Sequence, residues 1–259
     1  MDERKVAKQS RIDILNMTKG AKAGFIGSDY SCVDLLATIY AKYFDDAKDR
    51  MILSKGHAAA AWYAVLANTG RIDRSMLWDF NVSGKNMGAH PKRRSLPQIE
   101  ASTGSLGQGV GLASGAALGE KLAGTDGRVY TIVGDGEANE GSVWETVMFA
   151  AKRKLDNLYV FLDRNHLQSY GREEEVLDIA DYGKKFSDFG WDVQTINGHS
   201  YIQIGHAIEN AKNRPGRPHA IVAETIKGKG VSEFENKAIW HYKFPDGEVY
   251  NRALQELRI

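Results

Sequence analysis

The sequence has a single cysteine, Cys32, and only 5 prolines in 259 residues. One cysteine cannot build an intramolecular disulfide framework, so a disulfide-stapled secreted domain is excluded. Charge of one sign is also lacking: 34 Lys and Arg stand against 33 Asp and Glu, a formal net of +1. A chain so balanced, with a pI near 7.8, carries no electrostatic footprint for nucleic acid. No apolar run approaches the roughly 18 residues that span a bilayer. The opening residues MDERKVAKQSR are charged and lack the apolar stretch of a secretory signal, so the expected location is cytoplasmic. What is in excess is glycine, at 27 of 259 residues against a usual share of about 7%. Glycine without proline points to close backbone approach, not disorder.

The patterning predicts one α/β domain over residues 1–259, a parallel sheet with helices on both faces. Residues 3–19 read as a helix with Val6, Ile12, Ile14 and Leu15 as its apolar positions. Ser31 reads as the N-cap of a second helix carrying Val33, Leu36, Ile39 and Tyr40. The short run Met51-Ile52-Leu53 leads into Ser54-Lys55-Gly56-His57 and a small-residue helix to about Asn68. Residues 81–105 are polar and irregular. Strands are expected at 128–133, 158–162, 192–196 and 220–225, with helices between them, including one to about Lys154, 183–189, and 200–212 capped by Ser200. Burial on both faces explains why 128–133 and 158–162 are mostly apolar and do not alternate. Residues 226–247 read as a long functional loop and 248–258 as a closing helix. Gly107, Gly111, Gly115 and Gly119 recur every fourth residue, so they share a helix face and predict tight packing against a neighbour.

Gly134-Asp135-Gly136 follows the strand at 128–133, and Asn165 follows the strand at 158–162. Ligands of parallel α/β sheets bind beyond the carboxyl ends of the strands. Neighbouring strands lie about 4.8 Å apart, so Asp135 and Asn165 would converge. One carboxylate, one amide oxygen and nearby carbonyls make a hard oxygen site. That donor set suits Mg²⁺ or Ca²⁺ held together with a phosphate.

These residues carry a resemblance. GDGEANEGSVWE at 134–145, followed by Asp163-Arg164-Asn165, resembles the thiamine-diphosphate motif that starts with GDG and ends in Asn. Further segments resemble transketolases in the same order: Ser54-Lys55-Gly56-His57, Gly88-Ala89-His90-Pro91, Ser102 to Gly109 (STGSLGQG), then Thr225 to Gly230 (TIKGKG) with Trp240-His241. The resemblance covers almost the whole chain. It implies the pyrophosphate-binding domain of that family, with thiamine diphosphate as cofactor and Mg²⁺ as metal, Ca²⁺ or Mn²⁺ being able to replace it. It assigns Asp135, Asn165 and the Leu167 carbonyl to the metal. It assigns Gly134, Gly136, Glu137, His57, His241, Lys227 and the loop at Ser105-Leu106 to the cofactor. Among the residues it marks as catalytic are His57, His241, His90 in the substrate channel, and Glu140, which with Glu145 belongs at a subunit interface. The remaining histidines, His166, His199, His206 and His219, read as surface or packing residues, and Cys32 as core.

The chain departs from the family twice. At Lys22-Ala23-Gly24-Phe25-Ile26-Gly27, Phe25 stands where transketolases usually carry a histidine that binds and protonates the sugar. Phenylalanine has neither proton nor hydrogen bond to offer, which points to a non-standard sugar or sugar phosphate. The pyrimidine-binding and C-terminal domains of a full transketolase are also missing. The expectation is therefore the N-terminal subunit of a split enzyme, moving a two-carbon ketol unit from a ketose to an aldose. A separate C-terminal subunit would supply the remainder, with two copies of each. The alternatives are a non-catalytic paralogue and a 2-oxo acid dehydrogenase E1-type subunit.

Overall fold

The computed structural model describes residues 1–169, 171–177 and 179–259. Its sheet is parallel throughout. The strands are β1 (Arg50–Leu53), β2 (Val129–Gly134), β3 (Leu158–Arg164), β4 (Asp192–Asn197) and β5 (His219–Glu224), in the order β1-β2-β3-β5-β4. Successive side chains of a strand point to opposite faces. Tyr130, Ile132, Tyr159, Phe161 and Ile221 pack on one side against α1 (Glu3–Ala21), α2 (Ile26–Thr38) and α3 (Ala59–Asn68). Val129, Val133, Val160, Leu162 and Val222 pack on the other against α4 (Gln108–Ala123) and α5 (Gly141–Arg153). Two covered faces account for the apolar strands. After β3 come α6 (Glu173–Val176), α7 (Tyr182–Asp188), and, between β4 and β5, α8 (Tyr201–Lys212) with Ser200 capping it as expected. The segment after β5 is mostly loop and ends in α9 (Gly247–Arg258). Cys32 is fully buried.

The fold corrects the reading in three places. Met51-Ile52-Leu53 is strand β1, pairing with β2, and at four residues it is too short to show a period. The second helix starts at Ile26, not after Ser31, and every residue of it is buried. Ser31 lies inside it, its hydroxyl donating to Asp163 Oδ2 at 2.6 Å and to the Ser28 carbonyl at 3.0 Å. A polar residue that resembles a cap is here an internal partner.

The glycine stripe on α4 is the third. Gly115 and Gly119 have open space where a side chain would be, and Gly111 faces only Thr146 Oγ1 at 3.5 Å. Close approach does occur at Gly107, where a Cβ would lie 2.8 Å from Glu140 Cβ, and off the stripe at Gly109, where one would lie 2.6 Å from Ser54 Cα. Gly107 precedes the helix in the left-handed conformation, φ 80°.

Candidate functional site

The carboxyl ends of β1, β2, β3 and β5 open onto one edge of the sheet, and the chemistry-bearing residues follow them. Gly134 pairs with Asp163 across β2 and β3, so the turns carrying Asp135 and Asn165 are adjacent. Asp135 is buried. Its Oδ1 accepts from Gly136 N at 2.8 Å, and its Oδ2 accepts from Asn165 N at 2.9 Å and His166 N at 2.8 Å. Asn165 Oδ1 accepts from Leu167 N at 3.2 Å, and the Leu167 carbonyl accepts from Lys227 Nζ at 3.2 Å. Lys227 Nζ also lies 3.1 Å from His241 Nδ1. Burial, with the negative charge of Asp163 adding to it, raises the Asp135 pKa to about 6.

Does this donor set fit a divalent cation? Asp135, Asn165 and the Leu167 carbonyl are all oxygen donors, and only one is charged. Among the described residues no cluster of three or more His, Cys, Asp or Glu could hold a metal by itself. A set this sparse matches Mg²⁺, which keeps few protein ligands and takes the rest from phosphate and water. The start of α4 lines the same cleft through Leu106, and no side chain caps that helix. Uncapped N–H groups and the positive helix end suit a phosphate.

The cleft measures about 100 Å³. His57, Leu106, Gly134, Asp135, Gly136 and Glu137 line it, as do Asn165, Leu167, Lys227 and His241. Ser105, Glu140 and Glu145 are exposed and lie outside it. Four lining residues escaped the reading: Ser28, Lys55, Gln168 and Ser169. Lys55 stood inside the Ser54-to-His57 segment, and Ser28 three residues beyond Phe25. His90 is outside the cleft but close by, because Gly104 leaves room for it: a Cβ there would meet His90 Cδ2 at 2.6 Å.

Phe25 caps the start of α2 in position only, since its side chain makes no capping bond. Its ring meets His57, His90 and His241 edge-on, at centroid distances of 5.5, 5.4 and 5.5 Å. An apolar ring thus occupies the centre of the three histidines.

Three buried charged side chains brace these turns. Glu137 Oε1 accepts from Ser54 Oγ at 2.5 Å and Gly107 N at 2.9 Å, and Oε2 from Gly134 N at 3.1 Å. One carboxylate thereby ties the ends of β1 and β2 to the start of α4. Lys55 and Asp163 form an ion pair at 1% and 0% side-chain exposure, and Ser31 and Thr225 also donate to Asp163. Burial opposes both charges, but each partner outweighs it, holding the Lys55 pKa up and the Asp163 pKa down.

The histidines respond to this field. Burial, then the positive charge of Lys55, pushes the His57 pKa well below its ordinary value. Burial, then Lys227 and Lys55, brings His241 down to about 3. Both are neutral at pH 7. A base with a depressed folded pKa contributes stability above its unfolded pKa, about 6.5, and loses it as pH falls, because the unfolded chain takes the proton first. Between pH ~6.5 and ~3, His241 should therefore steepen the acid loss of stability by up to about 1.4 kcal/mol per pH unit, and His57 acts in the same direction below pH ~6.5. Urea unfolding across that range should show a shallower pH slope for His241→Gln than for wild type; equal slopes would contradict the assignment.

Comparison with known proteins agrees with this geometry. The family described as transketolase, thiamine diphosphate binding domain, matches residues 2–244. A protein of Phocaeicola vulgatus named as one subunit of an apulose-4-phosphate transketolase is 35% identical over 97% of this chain and 92% of its own length. The 6-deoxy-6-sulfo-D-fructose transketolase subunit SqwG of a Clostridium species is 38% identical over 90% of this chain and 88% of its own. Among solved structures, transketolase from Campylobacter jejuni superposes with a TM-score of 0.93 at 28% identity, covering 100% of this chain but 43% of that one. An all-parallel sheet, a GDG turn at its carboxyl edge and a family match over nearly the whole sequence lead to one assignment: the chain belongs to the transketolase family, in its thiamine diphosphate-binding domain.

Proposed function

We propose that this chain is the N-terminal subunit of a split transketolase, a single pyrophosphate-binding domain that transfers a two-carbon ketol unit only when a second polypeptide completes the site. The observation that carries the reading is the meeting of Asp135, Asn165 and the Leu167 carbonyl beside the uncapped start of α4. Relatives named as subunits match it over most of both lengths.

In this reading Asp135, Asn165 and the Leu167 carbonyl hold Mg²⁺, and the Ser105-Leu106 loop with Gly136, His57 and Lys227 holds the diphosphate. Thiamine diphosphate, when bound, supplies a thiazolium that stabilises the carbanion left by carbon–carbon cleavage. The chain's own part is binding and proton placement. Lys227, whose pKa burial lowers to about 8, offers positive charge with no carboxylate among the described residues hydrogen-bonded to it. Neutral His57 and His241 can accept or donate a hydrogen bond beside the reacting carbons. His90, nearer solvent, meets the incoming sugar. Glu137 preserves the cradle's shape through its three N–H and O–H partners.

Glu140 and Glu145 lie at the start of α5, facing outward. Nearby, Leu112, Met148 and Phe149 expose 49%, 50% and 38% of their surface on α4 and α5, and Gly115 and Gly119 on α4 have open space beside them. Large exposed apolar groups mark an interaction surface. We assign this face to the partner subunit, in an assembly of two copies of each chain. Among the described residues no helix is long and apolar enough to cross a membrane, and we place the enzyme in the cytoplasm.

Phe25 shapes the choice of sugar. A ring with no donor or acceptor, set among three histidines, leaves a sugar hydroxyl at that point unpaired, which costs about 1–3 kcal/mol. The enzyme should therefore favour a sugar with no hydroxyl directed there. Phe25→His should improve kcat/KM for ordinary ketose phosphates by about tenfold or more relative to the native substrate; an unchanged ratio in competition assays would remove Phe25 from substrate selection. The cofactor reading is tested by calorimetric titration of thiamine diphosphate with Mg²⁺ into the paired subunits. Saturable, Mg²⁺-dependent heat is expected, and none would overturn the reading.

A further inference from the structure

The loop after β5 brings Lys227 into the cleft, yet the bonds that fix this loop run to its far side. Ile226 N donates to His199 Nε2 at 2.8 Å, and His199 Nδ1 lies 2.8 Å from Asp34 Oδ2. A ring nitrogen that accepts from an N–H carries no proton. His199 is therefore the neutral tautomer with its proton on Nδ1, donated to Asp34. Asp34 is buried on α2 and also accepts from Arg11 Nη1 at 2.9 Å, Arg11 Nη2 at 2.7 Å and the Tyr201 hydroxyl at 2.8 Å. Arg11 Nε in turn donates to the Lys229 carbonyl at 2.8 Å. One carboxylate thus orients two side chains that grip the loop at Ile226 and at Lys229, on either side of Lys227. Gly228 N, donating to the Gly27 carbonyl at 2.9 Å, closes the attachment to α2.

Lys227 needs such a hold. It is 1% exposed, and its hydrogen-bond partners, the Leu167 carbonyl and His241, carry no charge. A buried ammonium with only neutral hydrogen-bond partners gains hydration by leaving. Among the described residues Lys227 makes no ion pair, and Asp135 attracts it only from beyond contact distance, so the backbone on either side supplies the closer restraint.

We propose that His199 is a positioning residue for Lys227: oriented by Asp34 and Arg11, it fixes the Ile226 amide and so keeps the Lys227 ammonium in the cleft. The consequence for cofactor binding rests on the reading that Lys227 meets the diphosphate; the consequence for the loop does not. His199 does not line the cleft, and it acts only through the main chain.

The test uses the full chain and two variants. His199→Phe fills the ring's volume without its nitrogens, and His199→Gln restores one acceptor and one donor. In the wild type, ¹⁵N spectra of the His199 ring should show an unprotonated Nε2 and a protonated Nδ1. Amide exchange at Ile226 and Gly228 should speed up about tenfold in His199→Phe and return toward wild type in His199→Gln, while core amides of β2 and β3 stay unchanged. With the partner present, His199→Phe should weaken thiamine diphosphate binding about tenfold with kcat at saturating cofactor retained. A protonated Nε2, unchanged exchange at Ile226, or exchange that rises equally throughout the core would overturn the proposal, the last by making His199 merely structural. Wild-type pairs that bind no cofactor would refute the proposed function instead, and the exchange data would still decide the role of His199.

Discussion

Asp135→Asn should reduce Mg²⁺-dependent binding of thiamine diphosphate to the paired subunits by on the order of 100-fold or more. Asp135 is the one charged donor among the three oxygens that converge at the carboxyl edge. The substitution removes that charge while keeping a similar shape and one oxygen to accept from the main chain. Asp135→Ala should abolish the heat of binding altogether. It also leaves the Gly136, Asn165 and His166 N–H groups without their acceptor, so its thermal unfolding must be recorded alongside. Loss of binding in Asp135→Asn with a near wild-type Tm is the expected pattern. Wild-type affinity in that variant would contradict the metal assignment.

The largest effect on stability is expected at the pair behind the site. Lys55→Met leaves Asp163 fully buried with no counter-charge, which should cost about 3–5 kcal/mol in urea unfolding. The ion pair itself need not be worth that much, because the penalty comes from stranding one partner in a dry interior. Adding Asp163→Asn should recover a large part of the loss, since one of the two hydroxyls, Ser31 on the Oδ2 side or Thr225 on the Oδ1 side, can still donate to the amide oxygen while the other accepts from the amide NH₂. The double-mutant cycle isolates the coupling. A single-variant loss below about 1 kcal/mol, the scale of a surface pair, would show that water reaches Asp163.

Much of this site was legible because its residues follow strands that announce themselves. Val129 to Val133 and Leu158 to Leu162 are apolar runs bounded by turn residues, and whatever follows such a run lies at the carboxyl edge. That placed Asp135 and Asn165. The resemblance, not periodicity, then brought in His57 and His241, which lie far apart in sequence. β1 was missed because four residues hold no period. The start of α2 was misplaced because Ser31 has the chemistry of a cap, and only the fold reveals that its acceptor, Asp163, is far along the chain. Lys55 was overlooked for the same reason: its partner is distant, and a lysine in sequence looks solvated. His199 read as a packing residue, and it does pack, but what it touches is the loop that carries Lys227. The glycine stripe failed differently. Small residues at helical spacing promise a close neighbour, and within this chain Gly115 and Gly119 have none; in the proposed assembly the neighbour belongs to the partner.

The central claim, half of a catalyst, is tested most directly by assaying two-carbon transfer from a ketose phosphate to an aldose with thiamine diphosphate and Mg²⁺. The assay is run with this chain by itself, with the C-terminal subunit by itself, and with both together. The account predicts that each chain by itself is silent and that the mixture is active, with activity saturating as the ratio of the two chains reaches one to one. Turnover by this chain without its partner, or none from a mixture that binds cofactor, would contradict it.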